Sequence, residues 1–266
     1  MKKLRPLLPN AHHSIVERCG LTDLLGLFEA SLKIRPKKAE YDLLAAAWGK
    51  LFSDLFLSAE EMVSELGQGE HRLTPDQEQM LRDFITADCR SGGVFVINVI
   101  KNGGKIDRAA LIMIADLEEL AGLEFNGVMA IHLLGEACDK RVRPTLIRRA
   151  GKRLLSQVYD RRGLPLVFSI FSLCDLCMDD LNAIASVFSE EELKHIMSRS
   201  RTGKSAYEVF LNVAASMKRY PSMERNATMV RNAFVIPAAK DTQKEGPERP
   251  VKIERLSRLP GKDKKA

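Results

Sequence analysis

From residue 91 onward the chain echoes itself. Four segments, "SGGVFVINVIKNGGKIDRAALIMIADL" from Ser91, "FNGVMAIHLLGEACDKRVRPTLIRRAG" from Phe125, "RRGLPLVFSIFSLCDLCMDDLNAIASVF" from Arg161 and "RTGKSAYEVFLNVAASM" from Arg201, share one plan. Each sets a glycine before an apolar helical stretch, then a polar break, and the first three add a second apolar stretch. The glycines fall at 93, 127, 163 and 203, in steps of 34, 36 and 40 residues. A drifting period of this length constrains the fold, because one helix pair cannot bury its own apolar face and must lean on the next. The expectation is an all-α chain whose residues 89–220 form a helix-turn-helix repeat stack.

Composition agrees with helix. The chain is 45% hydrophobic and 29% charged, with only four Tyr and one Trp, whereas strands recruit more aromatic and β-branched residues. Ahead of the echo, residues 1–88 read as an N-terminal helical region. Ser58-Ala59-Glu60-Glu61 and Thr74-Pro75-Asp76-Gln77 both fit a capping box, the second with proline where its missing N–H costs nothing. Helices are expected at about 21–33, 37–57, 58–66 and 75–88, with "GQGEHRL" as a loop.

Asp160-Arg161-Arg162-Gly163-Leu164-Pro165-Leu166, Asn126-Gly127-Val128-Met129-Ala130-Ile131-His132 and Thr202-Gly203-Lys204-Ser205-Ala206-Tyr207 resemble the opening of ankyrin repeats, Asp-x-x-Gly-x-Thr-Pro-Leu-His. The family's Thr-Pro pair is never complete, its histidine occurs only as His132, and "LEELAGLEFNG" leaves little room for its β-hairpin. The resemblance implies an ankyrin-like array, with other helical-pair repeats as an equal alternative, and a structural role for His132.

Three stretches suggest chemistry. Gly203-Lys204-Ser205 ends like a phosphate loop, but the position of its first glycine holds Ser198 and a helix, capped at Ser189 and Glu192, precedes it instead of a strand. It reads as a repeat turn. Cys174 and Cys177 have metal-knuckle spacing, but no second cysteine pair joins them and the five histidines are scattered. They read as core thiols. His132 and Glu136, one turn apart, have no nucleophile or metal motif beside them. Neither an enzyme, a metal site nor a cofactor is therefore expected.

The strongest charge feature is "KRVRPTLIRRAGKRLL": residues 140–153 hold seven Lys/Arg and no acid. On an ideal helix Leu146, Ile147, Ala150, Leu154 and Val158 share one side and Arg148, Arg149, Lys152 and Arg153 the other. Arg161 and Arg162 would extend that face. These six cations form the expected partner-binding surface, suited to an acidic protein segment or, as the alternative, to nucleic-acid phosphates. An equal alternative is that the patch is only a solvated face, partly neutralised by Asp116, Glu118, Glu119 and Glu124.

Residues 221–266 form a basic tail, in which Lys240–Ala266 holds nine Lys/Arg against five Asp/Glu. With three prolines after Lys240 it is too polar to order alone, though Val251, Ile253, Leu256 and Leu259 are spaced to fold on a partner. The net charge of +6 thus leaves about +2 for the body, and so few aromatics argue against stacking on bases. No apolar run reaches membrane-span length, no secretion signal is legible, and five cysteines suit a reducing compartment. The expectation is a cytoplasmic, non-catalytic protein-interaction scaffold with no small-molecule substrate.

Overall fold

The computed structural model describes residues 14–37, 40–159, 165–171, 173, 176–189, 191–192 and 195–196. After helical residues at 14–16 come α1 (Leu21–Lys33), α2 (Glu40–Leu55), α3 (Ala59–Gly67) and α4 (Pro75–Arg90), close to the four expected. Thr74 and Gln77 close the capping box of α4 in both directions, at 3.3 and 2.9 Å. Ser58 accepts from the Glu61 N–H at 3.0 Å, but the Glu61 carboxylate reaches past it to the Leu57 N–H. Leu57 precedes the cap, where an apolar side chain usually folds back onto the helix. Here it is 91% exposed.

Next come α5 (Val94–Asn102), α6 (Lys105–Ile114), α7 (Leu117–Gly122), β1 (Glu124–Phe125), β2 (Val128–Met129), α8 (Ala130–Ala137), α9 (Arg143–Gln157), α10 (Leu166–Phe171) and α11 (Met178–Val187). The described chain is mostly helical. The hairpin corrects one expectation: β1 and β2 pair antiparallel, Glu124 with Met129 and Phe125 with Val128. Asn126 and Gly127 adopt φ of 52° and 78°, the double positive φ that a type I′ hairpin turn demands and Asn-Gly satisfies at low cost.

Most packing is between helices that are not sequence neighbours, and α3 lies on α6. α1 lies on α2 and α4, α2 on α5 and α6, α5 on α8, α8 on α10, and α9 on α11. The approaches to α8 and α10 each carry one backbone hydrogen bond: Ala130 N–H donates to Leu123 O at 2.7 Å, and Leu166 N–H to Val158 O at 2.9 Å. A bridge pairs Tyr159 with Pro165 beside the second.

An aromatic core joins the first helices to α5. Phe95 meets Trp48, Phe84 and Phe28 edge-on, with centroids 5.5, 4.9 and 6.2 Å apart, a geometry in which ring edges face ring planes. Trp48 is fully buried, and its indole N–H donates to Asp107 O at 3.0 Å. The core is thus continuous across residue 88, where the sequence places its first boundary. Asp88 itself accepts from the N–H groups of Phe95 and Val96, capping α5 because its own N-cap, Gly93, has no side chain.

A second correction concerns α9. Gly151 has φ 61° and ψ −178°, a conformation largely confined to glycine. It breaks the helix between Ala150 and Lys152, so the two cation pairs flanking it do not share one straight helix face.

Candidate functional site

The cations of α9 have partners inside the fold. Helix C-termini leave carbonyls without intrahelical donors and with partial negative charge. Arg149 answers this need for α6, donating to Ile112 O and Ala115 O, while Arg82 donates to Ile114 O at 3.2 Å. Burial of its guanidinium, then the nearby Arg82 charge, lowers the Arg149 pKa. Lys152 pairs with Glu192 at 2.5 Å and Arg153 with Glu118. Arg148 is exposed and makes no ion pair among the described residues. Arg161 and Arg162 lie outside the described residues, as do Cys174, Gly203, Lys204, Ser205 and the tail.

The same use of arginine recurs at other helix ends. Arg108 reaches Ile100 O at 2.8 Å at the end of α5 and Ala137 O at 3.2 Å at the end of α8. Arg72 donates to Leu55 O at the end of α2, and Arg35 to Ser91 O beyond α4 at 3.1 Å. Five arginines, Arg35, Arg72, Arg82, Arg108 and Arg149, therefore meet carbonyls at or near helix ends.

Sequence reasoning also counted Arg143 within the basic run, yet its side chain is 1% exposed and its Nη1 donates to Asp180 Oδ2 at 2.9 Å. Asp180 is the third helical residue of α11 and accepts the Cys177 backbone N–H at 3.1 Å and the Cys177 thiol at 3.3 Å. Burial raises the Asp180 pKa despite the opposing Arg143 charge, and raises that of Cys177. A raised thiol pKa disfavours the thiolate that metal binding and exchange require. His132 is buried on α8 with its Nδ1 2.8 Å from Ser169 Oγ of α10, whereas Glu136 is exposed. Among the described residues no three His, Cys, Asp or Glu side chains converge as metal ligands, and no helix is long and apolar enough to cross a membrane.

One concavity has no counterpart among the sequence-based expectations. A groove of about 1040 Å³ opens between α2, the start of α3 and the α5–α6 turn. Small residues make room for it: Ala45, Ala46 and Gly49 of α2 face Gly103 and Gly104 of the turn. At Gly49 an added Cβ would stand 3.2 Å from Asp107 Oδ1, and at Gly103 2.5 Å from Val99 O, so both glycines hold backbone and turn close. Leu57 stands at the mouth. One wall is a polar ladder in which Asn102 Nδ2 donates to Asn98 Oδ1 at 2.8 Å and Asn98 Nδ2 to Asp42 Oδ1 at 2.9 Å.

Charge in the groove is acidic. Its lining holds Glu17, Asp42, Asp54, Glu60 and Asp107 against Lys50 and Lys105, a net of −3. Pairing does not cancel this: Lys50 neutralises Asp54, Arg141 neutralises Glu60, and Lys105 is matched by Asp139. Glu17, Asp42 and Asp107 are left. The Asp107 carboxylate caps α6 through the Gly104 N–H at 2.6 Å, while Glu17 and Asp42 are exposed. The sequence signal was the small-residue face of α2, which reads simply as a helix-packing face until the facing glycines are located. Comparison of the chain with protein-family models, with curated proteins and with solved structures returns no match.

Proposed function

We propose that this chain is a non-catalytic protein-interaction scaffold, built as a stack of ankyrin-like helix pairs, that holds a partner in the groove between α2, α3 and the α5–α6 turn. The groove carries this reading. Its volume suits side chains of a protein segment, small residues line its floor, and a nearly bare leucine stands at its mouth. The stack is supported by the succession of α5, α8 and α10, by α9 on α11, and by the matching hydrogen bonds at Ala130 and Leu166. Those two positions lie 36 residues apart (130 to 166), within the range of the glycine steps.

The six-cation surface contributes less to the proposal than the groove does. Arg149, Lys152 and Arg153 already have partners, which leaves Arg148, among the described residues of that surface, as the cation best placed to meet an acidic segment. The same pairing weakens the nucleic-acid alternative, whose affinity depends on cations free to displace counterions.

The test uses the full chain and the Ala45→Trp variant, which fills the groove floor, each immobilised and exposed to extract of the native cell. Partners identified by mass spectrometry that are held by the first and lost by the second, with melting temperature unchanged, support the proposal. An identical set on both overturns it. A gel shift that appears at about 50 mM salt and vanishes at about 200 mM would favour nucleic acid instead.

A further inference from the structure

We infer that the groove takes an extended segment of a partner protein carrying Lys or Arg side chains around an apolar anchor; this rests on the groove being the binding surface. Four features of the groove point to that chemistry together. The first is charge, for the lining keeps a net of −3 after its ion pairs are counted, and complementary charge steers encounter and rejects partners of the wrong sign. Glu17 and Asp42 are both exposed and carry no ion pair among the described residues, so two carboxylates stand ready at the rim.

The second feature is the Asn98–Asn102 ladder. A primary amide has two N–H donors and an acceptor oxygen with two lone pairs. Each asparagine gives one donor to the ladder, Asn98 to Asp42 and Asn102 to Asn98. The remaining amide capacity matches the alternating N–H and C=O of an extended backbone, which a helical segment would already have paired internally. The third is Leu57. Lying between α2 and α3 and 91% exposed at the groove mouth, it offers an apolar contact next to a floor of Ala45, Ala46 and Gly49. The fourth is sign: a phosphate backbone would meet the same carboxylates as repulsion.

The experiment titrates the full chain into two fluorescein-labelled pools of peptides of about twelve residues, read by anisotropy. One pool has Lys or Arg at alternate positions around a central Leu, and the other has Glu at those positions. The expected result is saturable binding of the cationic pool, about tenfold or more tighter than the acidic pool and weakened by added salt. Asp42→Lys and Glu17→Lys together should weaken it by about tenfold with an unchanged melting temperature, while Glu70→Lys, outside the groove, leaves it intact. Asn98→Ala should weaken it without altering the salt dependence.

Cationic binding indifferent to Asp42→Lys with Glu17→Lys overturns the inference, as does the absence of saturable binding by either pool. Acidic-pool binding that Ala45→Trp removes also overturns it, but leaves the groove standing as a binding surface. Failure of the charge assignment and failure of the groove itself are therefore told apart.

Discussion

The Arg143 guanidinium donates to the Asp180 carboxylate at 2.9 Å with both side chains essentially sealed from water. The pair joins α9 to α11. Removing two charges from water is costly, and their attraction offsets that cost only when both partners are present. Arg143→Met or Asp180→Leu alone should therefore lower unfolding free energy by about 3–5 kcal/mol, whereas the two together should fall within about 1 kcal/mol of the parent. Urea unfolding of the four members of this cycle measures the difference.

The carboxylate of Asp88 titrates against folding. Burial, its largest influence, raises its pKa above the ordinary 3.8, with the Val96 and Phe95 N–H groups and the Arg35 charge opposing. Between the unfolded value and the raised folded value the native state binds the extra proton, so this group's contribution weakens as pH rises through that window. Above the window the penalty is constant. Asp88→Asn does not titrate, so its stability relative to the parent should climb as pH increases from just below 4 and then level off, which melts taken across a pH series will show.

The arginines of α9 should separate by partner. Arg149→Ala strips donors from the end of α6 and should cost about 1 kcal/mol, below the range for a fully buried charged hydrogen bond because solvent reaches this residue. Arg148→Ala, with no such partner, should stay within about 0.5 kcal/mol of the parent. Equal losses at both positions, measured by chemical unfolding, would contradict the capping role of Arg149.

Two glycines in left-handed backbone test space against strain. At Gly93 (φ 66°) an added Cβ would fall 2.2 Å from the Leu123 Cδ2 methyl, so Gly93→Ala combines strain with overpacking and should cost about 2–4 kcal/mol. At Gly127 (φ 78°) nothing lies within 4 Å, so Gly127→Ala should cost about 1 kcal/mol, from backbone strain alone. Melting temperatures of the two variants give the ranking.

The helical class and the first four helices were legible because their signals are local: apolar spacing, Thr74 and Ser58 as caps, Pro75 at a helix start. The hairpin is also written locally, in Asn126-Gly127, although "LEELAGLEFNG" leaves it little room. Two strands of two residues need very little. What could not be read was the fate of charge. In sequence Arg143, Arg148 and Arg149 are equivalent members of one basic run; in the fold one is buried against Asp180, one is open to solvent, and one closes another helix. Their fates depend on Asp180, Ile112 and Ala115, each at least 34 residues distant. The groove was illegible for the same reason, since Ala45 and Gly49 acquire meaning only opposite Gly103.

The lone tryptophan of the chain hangs its indole from the backbone of Asp107, a residue whose side chain borders the concavity. The molecule thus carries a native optical gauge wired to that rim. Any occupant that shifts the α5–α6 corner must alter the emission of Trp48, allowing engagement to be followed on an unlabelled chain.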